Sequence, residues 1–153
     1  MIQNESTKFA FAYSKTLPFQ VADCIWQRWN CLSSWQDWDQ SLSCAQAESN
    51  SIALGHQFCV VPRMSGQPIP VTVVSAVEGL HFTTASVGAM GLLSFGHTLI
   101  LNTASQTVTL EHSICAVPVD VEIFRARIWD RLKEDVTASV EALGELAVKE
   151  LEA

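Results

Sequence analysis

Between Met64 and Phe124 the chain carries no lysine or arginine, and only Glu78, Glu111, Asp120 and Glu122 bring negative charge. A stretch this long without cations must bury much of its surface and pair its backbone polar groups internally. It does not read as a membrane helix, because turn residues interrupt it well before ~18 apolar residues accumulate. Ser65-Gly66-Gln67-Pro68, Glu78-Gly79, Gly88-Ala89-Met90-Gly91 and Thr103-Ala104-Ser105-Gln106 cut it into short β-rich runs. With the segment before it, strands are expected at 41–48, 56–63, 70–78, 81–87, 92–102 and 107–116. Links this short favour antiparallel neighbours in a meander.

The flanks read differently. From Thr7 to Leu17, Phe9, Phe11 and Tyr13 alternate with Lys8, Ala10, Ala12 and Ser14, the period of a half-buried strand. Pro18 suits a first helical turn, and Val21, Ile25 and Trp29 then recur at four-residue spacing along a short amphipathic helix. Ser33 or Ser34 can cap a second short helix on which Trp35 and Trp38 share a face. After Pro118, Val121, Phe124, Ile128, Leu132, Val136, Val140, Leu143, Ala147 and Leu151 draw one apolar stripe. That stripe predicts a single unbroken helix of about eight turns, roughly 45 Å long.

The chain has 153 residues, 48% of them apolar and 16% charged, which fits one globular domain spanning 1–153. The net charge of -7 argues against a nucleic-acid partner, which would need clustered cations to meet phosphates. Arg125, Arg127, Arg131 and Lys133 are interleaved with Asp130, Glu134 and Asp135, so they read as a solvated helix face. Met1 to Lys8 lacks the basic and then apolar pattern of a secretory leader, and the expectation is a cytoplasmic protein without an integral membrane segment. Cys24, Cys31, Cys44, Cys59 and Cys115 show no Cys-x-x-Cys spacing and read as reduced structural thiols. Gly88-x-x-Gly91-x-x-x-x-Gly96 lacks the spacing and lysine of a phosphate loop, and neither a cofactor nor a metal is indicated.

Leu17-Pro18 leading into Val21 to Trp26, the run Leu32-Ser33-Ser34-Trp35-Gln36-Asp37-Trp38-Asp39, and the long C-terminal helix together carry a family resemblance. Over about residues 7 to 150 the chain resembles the START-like, or polyketide cyclase-like (SRPBCC), superfamily. Its Trp35-x-x-Trp38-Asp39 looks like that family's tryptophan-rich helix–helix corner. The resemblance implies an α+β helix-grip fold: a seven-stranded curved antiparallel sheet wrapped around the C-terminal helix, with two short helices between the first and second strands. It also implies a deep cavity between sheet and helix, which would hold a lipid, polyketide, quinone or other aromatic molecule. Members of the superfamily include lipid carriers, quinone-binding proteins and polyketide cyclases, so function has to be argued from the residues that would line the cavity.

Candidate residues come from a register argument. If Thr103 to Gln106 is a four-residue hairpin loop, Asn102 faces Thr107, Leu99 faces Leu110, Phe95 faces Ile114 and His97 faces His112. Leu93, Phe95, His97, Leu99 and Leu101 then point inward with Val108, Leu110, His112 and Ile114. Phe95, Leu99, Leu110 and Ile114, with Phe124, Ile128 and Leu132 from the helix, are the candidate ligand-binding set. Arg63 at a strand end could meet a ligand carboxylate, or be a plain surface charge. His97 and His112 could serve as a general acid–base pair, or simply satisfy each other's surroundings inside the sheet. His56 and His81, at strand starts, are expected to be exposed. Trp26, Trp29, Trp35 and Trp38 read as packing of the helix corner rather than a ligand box, and Trp129 falls off the helical stripe. Three functions stay open: binding of a hydrophobic small molecule, a cyclase or dehydratase using the two histidines, and an interaction role. In the last, the uncharged outer face bearing Thr72, Thr98, Thr107, Thr109 and Ser113 would dock a protein partner or a second copy as a homodimer.

Overall fold

The computed structural model describes residues 9–153, so Thr7 and Lys8 of the expected first strand, and Met1 to Lys8 as a whole, lie outside the described residues. β1 (Phe9–Pro18) leads through a 3-10 turn (Phe19–Val21) into α1 (Ala22–Trp29) and then a 3-10 helix (Leu32–Asp37). Six strands follow: β2 (Leu42–Gln46), β3 (Gln57–Pro62), β4 (Ile69–Val77), β5 (His81–Gly88), β6 (Gly91–Asn102) and β7 (Thr107–Pro118). Two helices, α2 (Val121–Arg127) and α3 (Trp129–Glu152), end the chain. The sheet has seven strands in the order β1-β7-β6-β5-β4-β3-β2, all antiparallel. This is the expected helix-grip arrangement, with β2 to β7 a meander and β1 closing beside β7.

The β6–β7 hairpin has the register its loop length dictates, Asn102 with Thr107 through His97 with His112 to Phe95 with Ile114. Its inward set is buried at Leu93, His97, Leu99, Val108, Leu110, His112 and Ile114. Leu101 departs from that set and is exposed, although its register partner Val108 is buried. The tight β5–β6 connection depends on Gly91, whose φ is +114°. A Cβ there would lie 2.3 Å from the Val117 carbonyl oxygen on β7, so the backbones approach as closely as they do only because the side chain is missing.

The long helix is not continuous. Ile128 leaves helical geometry (φ -124°) and separates α2 from α3, so the expected eight-turn rod is a short helix followed by one of 24 residues. Residues five apart on an unbroken helix point about 140° away from each other. Breaking the backbone at Ile128 allows Phe124 and Trp129 to pack together on Phe9, with ring centroids 5.0 and 5.2 Å from it. Asp120 caps α2 by accepting from the Ile123 N–H at 3.0 Å. α3 lies against β1 and β7 and is pinned at two points along its length. Tyr13 Oη donates to Glu141 at 2.5 Å while Lys15 Nζ donates to its other oxygen at 2.7 Å. Nearer the C-terminus, Arg28 of α1 pairs with Glu150.

The second short helix also differs from expectation. It is a 3-10 helix capped by neither serine side chain: Cys31 is its N-cap, Ser34 Oγ donates instead to the Cys31 carbonyl, and Trp38 lies just past its end. His56 and His81 are half-buried rather than exposed. His56 stacks on Phe58, and His81 is ringed by the hydroxyls of Ser75, Thr83 and Thr98 from three adjacent strands on the outer face. All five cysteines are free thiols. Replacing Gly91→Ala is expected to cost about 1–3 kcal/mol of unfolding free energy, through strain at a positive φ and collision with Val117, as read from urea denaturation midpoints.

Candidate functional site

The concave face of the sheet is occupied at one end by aromatic rings. Trp29 from α1 and Trp35 and Trp38 from the corner converge on Phe82, His97 and His112 of β5, β6 and β7. His97 lies flat on Phe82, ring centroids 4.0 Å apart with planes 3° from parallel, because the two face each other across β5 and β6. The Trp35 indole N–H donates to the Trp29 carbonyl at 2.8 Å, which locks the corner to the end of α1.

The histidines are tied into this block by directed bonds. Trp29 Nε1–H donates to His112 Nε2 at 3.2 Å, so that nitrogen carries no proton. His112 Nδ1–H therefore donates to Ser139 Oγ at 2.8 Å, and the Ser139 hydroxyl donates to the Val136 carbonyl at 2.8 Å within α3. The chain of bonds fixes one neutral tautomer of His112 and leaves neither ring nitrogen free. His97 Nδ1 faces the Phe82 carbonyl at 3.3 Å and must donate to it. Burial pushes His97 down to about 3, and burial with His97 nearby holds His112 well below the usual imidazole range. Asp39, next to Trp38, is raised by its burial although it accepts from Ser41 N–H at 3.0 Å and Ser41 Oγ at 2.6 Å.

The core falls into two clusters, one built on the tryptophans and Leu99, Val108, Leu110, Val140 and Leu143, the other on Phe9, Leu93, Ala116 and Phe124. Phe95, packed against the second cluster, is only half-buried although its register partners Thr84 and Ile114 are buried. Phe11, Ile128 and Leu132 are half-buried as well. An open hollow of about 620 Å³ indents this side, lined by Phe11, Gln40, Asp130, Lys133, Glu134, Thr137 and Ala138. A neighbouring hollow of about 420 Å³ shares Gln40, Asp130 and Glu134 with it and reaches Ile128, Arg127 and Arg131. Gln40 Nε2 donates to Asp135 at 3.4 Å, bridging from the start of β2 to α3 across this rim.

The candidate ligand residues accordingly separate. Phe95, Phe124, Ile128 and Leu132 gather at the second cluster, and Ile114 lies beside Phe95. Leu99 and Leu110 lie instead in the closed cluster under the tryptophans. Arg63 is outside both, exposed, with its Nε donating to the Gln40 carbonyl at 3.0 Å. Trp129 packs on Phe9 and Phe124, while Lys133 lies 5.7 Å from its ring. Sequence reasoning missed Ser139, Thr84, Phe11 and Gln40 as parts of this interior. Ser139 had a signal, being a hydroxyl in phase with Val136 and Val140 on an otherwise apolar stripe. Thr84 had one too, two residues from inward-facing Phe82.

No family model matches the chain, and no curated protein matches it in sequence. Solved structures do match it. Ginseng major latex-like protein 151 from Panax ginseng superposes with a TM-score of 0.71 at 8% identity, over 93% of this chain and 99% of that one. Ara h 8.0201 gives 0.68 at 10% identity over 93% and 99%, and protein MLL2253 from Mesorhizobium loti gives 0.70 at 14% over 92% and 98%. At such identities it is the fold that is shared. The chain is a helix-grip protein. That fold is the one the sequence resemblance implied.

Two outcomes follow for the histidine block. Ser139→Ala leaves the buried His112 Nδ1–H without an acceptor and is expected to cost about 1–3 kcal/mol in urea unfolding. Both histidines have depressed folded values, so their contribution is full above the unfolded value near 6.5 and is lost as pH falls from there toward 3. Asp39 and Asp135, raised by burial, act in the opposite direction: their cost at neutral pH is relieved on acidification. The histidine part is isolated by comparison with His97→Gln, whose melting temperature should fall less steeply than the wild type's between pH 6.5 and 4. Parallel curves would contradict a neutral, buried His97.

Proposed function

We propose that the protein binds a neutral, largely apolar small molecule between the concave sheet and the first half of α3. The observation that carries this reading is Phe95, an inward aromatic in the centre of the sheet that the protein's own core leaves half-covered. Ile128 and Leu132 pack against the same cluster as Phe95, and Phe11, which lines the larger hollow, lies in the same cross-strand row through Ile114. Ligand sites are commonly concave and lined mainly by apolar and aromatic side chains with few polar groups. The absence of lysine and arginine from Met64 to Phe124 leaves the sheet wall without a cation to recognise an anion, which favours an uncharged occupant. The START-like resemblance supports the same reading, since its members include carriers of lipids and quinones. The Gln40–Asp135 rim offers the entrance, because a single hydrogen bond spans it.

A cyclase or dehydratase reading would need an imidazole able to take up or give a proton near neutrality. His112 has both nitrogens engaged and burial keeps both rings neutral, so binding is favoured over acid–base chemistry. The test is dye uptake, together with organic extraction of the purified protein followed by mass spectrometry. The wild type should enhance ANS fluorescence in its folded state, and added fatty alcohol should displace the dye. Leu132→Arg, which places a guanidinium in the apolar space, should weaken dye binding at least about tenfold with melting shifted by only a few degrees. A folded wild type that takes up no dye and yields no extractable molecule would refute the reading.

A further inference from the structure

Six rings meet in the aromatic block, and their polar atoms can be accounted for one by one. The indole N–H groups of Trp29 and Trp35 are used, as are both nitrogens of His112 and Nδ1 of His97. Trp38 Nε1–H is buried and has no partner. Among the described residues His97 Nε2 has none either, and since Nδ1 holds the proton, Nε2 presents a lone pair. The block thus leaves one donor and one acceptor, on rings whose centroids are 6.3 Å apart and set edge-on at 81°. An unpaired buried donor is costly, and cores seldom keep one without a use for it.

Neither ring of the pair is fully sealed: His97 keeps 6% of its surface and Trp38 2%. Thr84 is the register partner of Phe95. The half-covered Phe95 stands one inward position along β6 from His97, whose ring meets that of Trp38.

We infer that Trp38 Nε1–H and His97 Nε2 form a receptor for one hydroxyl oxygen at the inner end of the binding space, so that the preferred ligand is an apolar alcohol or phenol. This rests on the binding reading proposed above and adds the chemistry of the ligand's polar end. The recognition follows from the donor–acceptor pair. A hydroxyl accepts from the indole and donates to the imidazole at once. A ketone can only accept and leaves the His97 lone pair unmatched. A carboxylate does the same, and it brings a charge that no cation in the block neutralises. Burial keeps His97 neutral, so the acceptor persists across physiological pH. The same two atoms would equally hold a water molecule, and the source of the oxygen has to be separated by experiment.

The probes are 2-naphthol, 2-methylnaphthalene and 2-naphthoate, followed by tryptophan fluorescence and by the indole N–H resonances in ¹⁵N-labelled wild-type protein. Naphthol should bind about tenfold more tightly than methylnaphthalene, and naphthoate more weakly than either. Only naphthol should shift the Trp38 indole resonance. Trp38→Phe and His97→Phe should each remove the naphthol preference while leaving methylnaphthalene affinity within about threefold. Equal binding of naphthol and methylnaphthalene would overturn the hydroxyl receptor and leave the binding module standing. A Trp38 resonance that shows exchange contacts to a bound water and does not move with naphthol would assign the oxygen to solvent and overturn the ligand inference. Failure of all three probes to bind, in a protein that still takes up other apolar molecules, would also overturn it. If no apolar molecule is taken up at all, the underlying reading falls with it. The wild-type resonances decide the matter even if a variant fails to fold.

Discussion

The structure turns on four groups joined head to tail: the Trp29 indole, the His112 ring, the Ser139 hydroxyl and the Val136 carbonyl. They come from the first helix, the last strand and the long helix, the three parts that a helix-grip fold must hold in register. Apolar contact alone is non-directional and tolerates sliding. A run of buried donors and acceptors does not, because any slip would strand several polar groups where water cannot reach them. The run also decides the protonation of the sheet's centre. His112 is held as one neutral tautomer, and His97, stacked on Phe82 beside it, shares the same dry surroundings.

Around that fixed point the interior divides by packing. The tryptophan corner fills one end of the concave face and the Phe9–Phe124–Trp129 group closes the other. The two remain separate clusters, and Phe95, packed against the second, is left half-covered. The break at Ile128 belongs to the same division, since it rotates Trp129 onto Phe9 and commits that end of the helix to capping the sheet.

Much of this could be read in the residues. The β6–β7 register was legible because a four-residue loop and alternation leave a single pairing that sets Phe95, His97 and Leu99 opposite Ile114, His112 and Leu110. The corner was legible from Trp35 and Trp38 behind an amphipathic turn. What escaped has physical reasons. The stripe through Phe124, Ile128 and Leu132 stays in step whether or not the backbone breaks, so periodicity could not reveal the break; the cause lies in Phe9, far away in the chain. Ser139 bonds to His112 across 27 residues and Trp29 across 83, distances at which single-sequence pattern is silent. His81 was misread because a strand start looks solvent-facing, whereas hydroxyls from its own strand and both neighbouring strands surround it. Leu99 and Leu110 were correctly placed on the inner face, but alternation does not say which stretch of that face the tryptophans cover.

The pairing of β1 with β7 has a kinetic consequence. Strands β2 to β7 join neighbours through short links and can form by local zipping, whereas Phe9 meets Ala116 only after nearly the whole chain has been gathered in. Closing so long a loop carries a large entropic cost before any contact repays it, and topologies of this kind fold slowly. β1 is therefore expected to dock late, onto a meander already formed, and to bring Tyr13 and Lys15 to Glu141 as it does so. The interior is then shut from one side in a single closing step, after the meander has already set its concave wall.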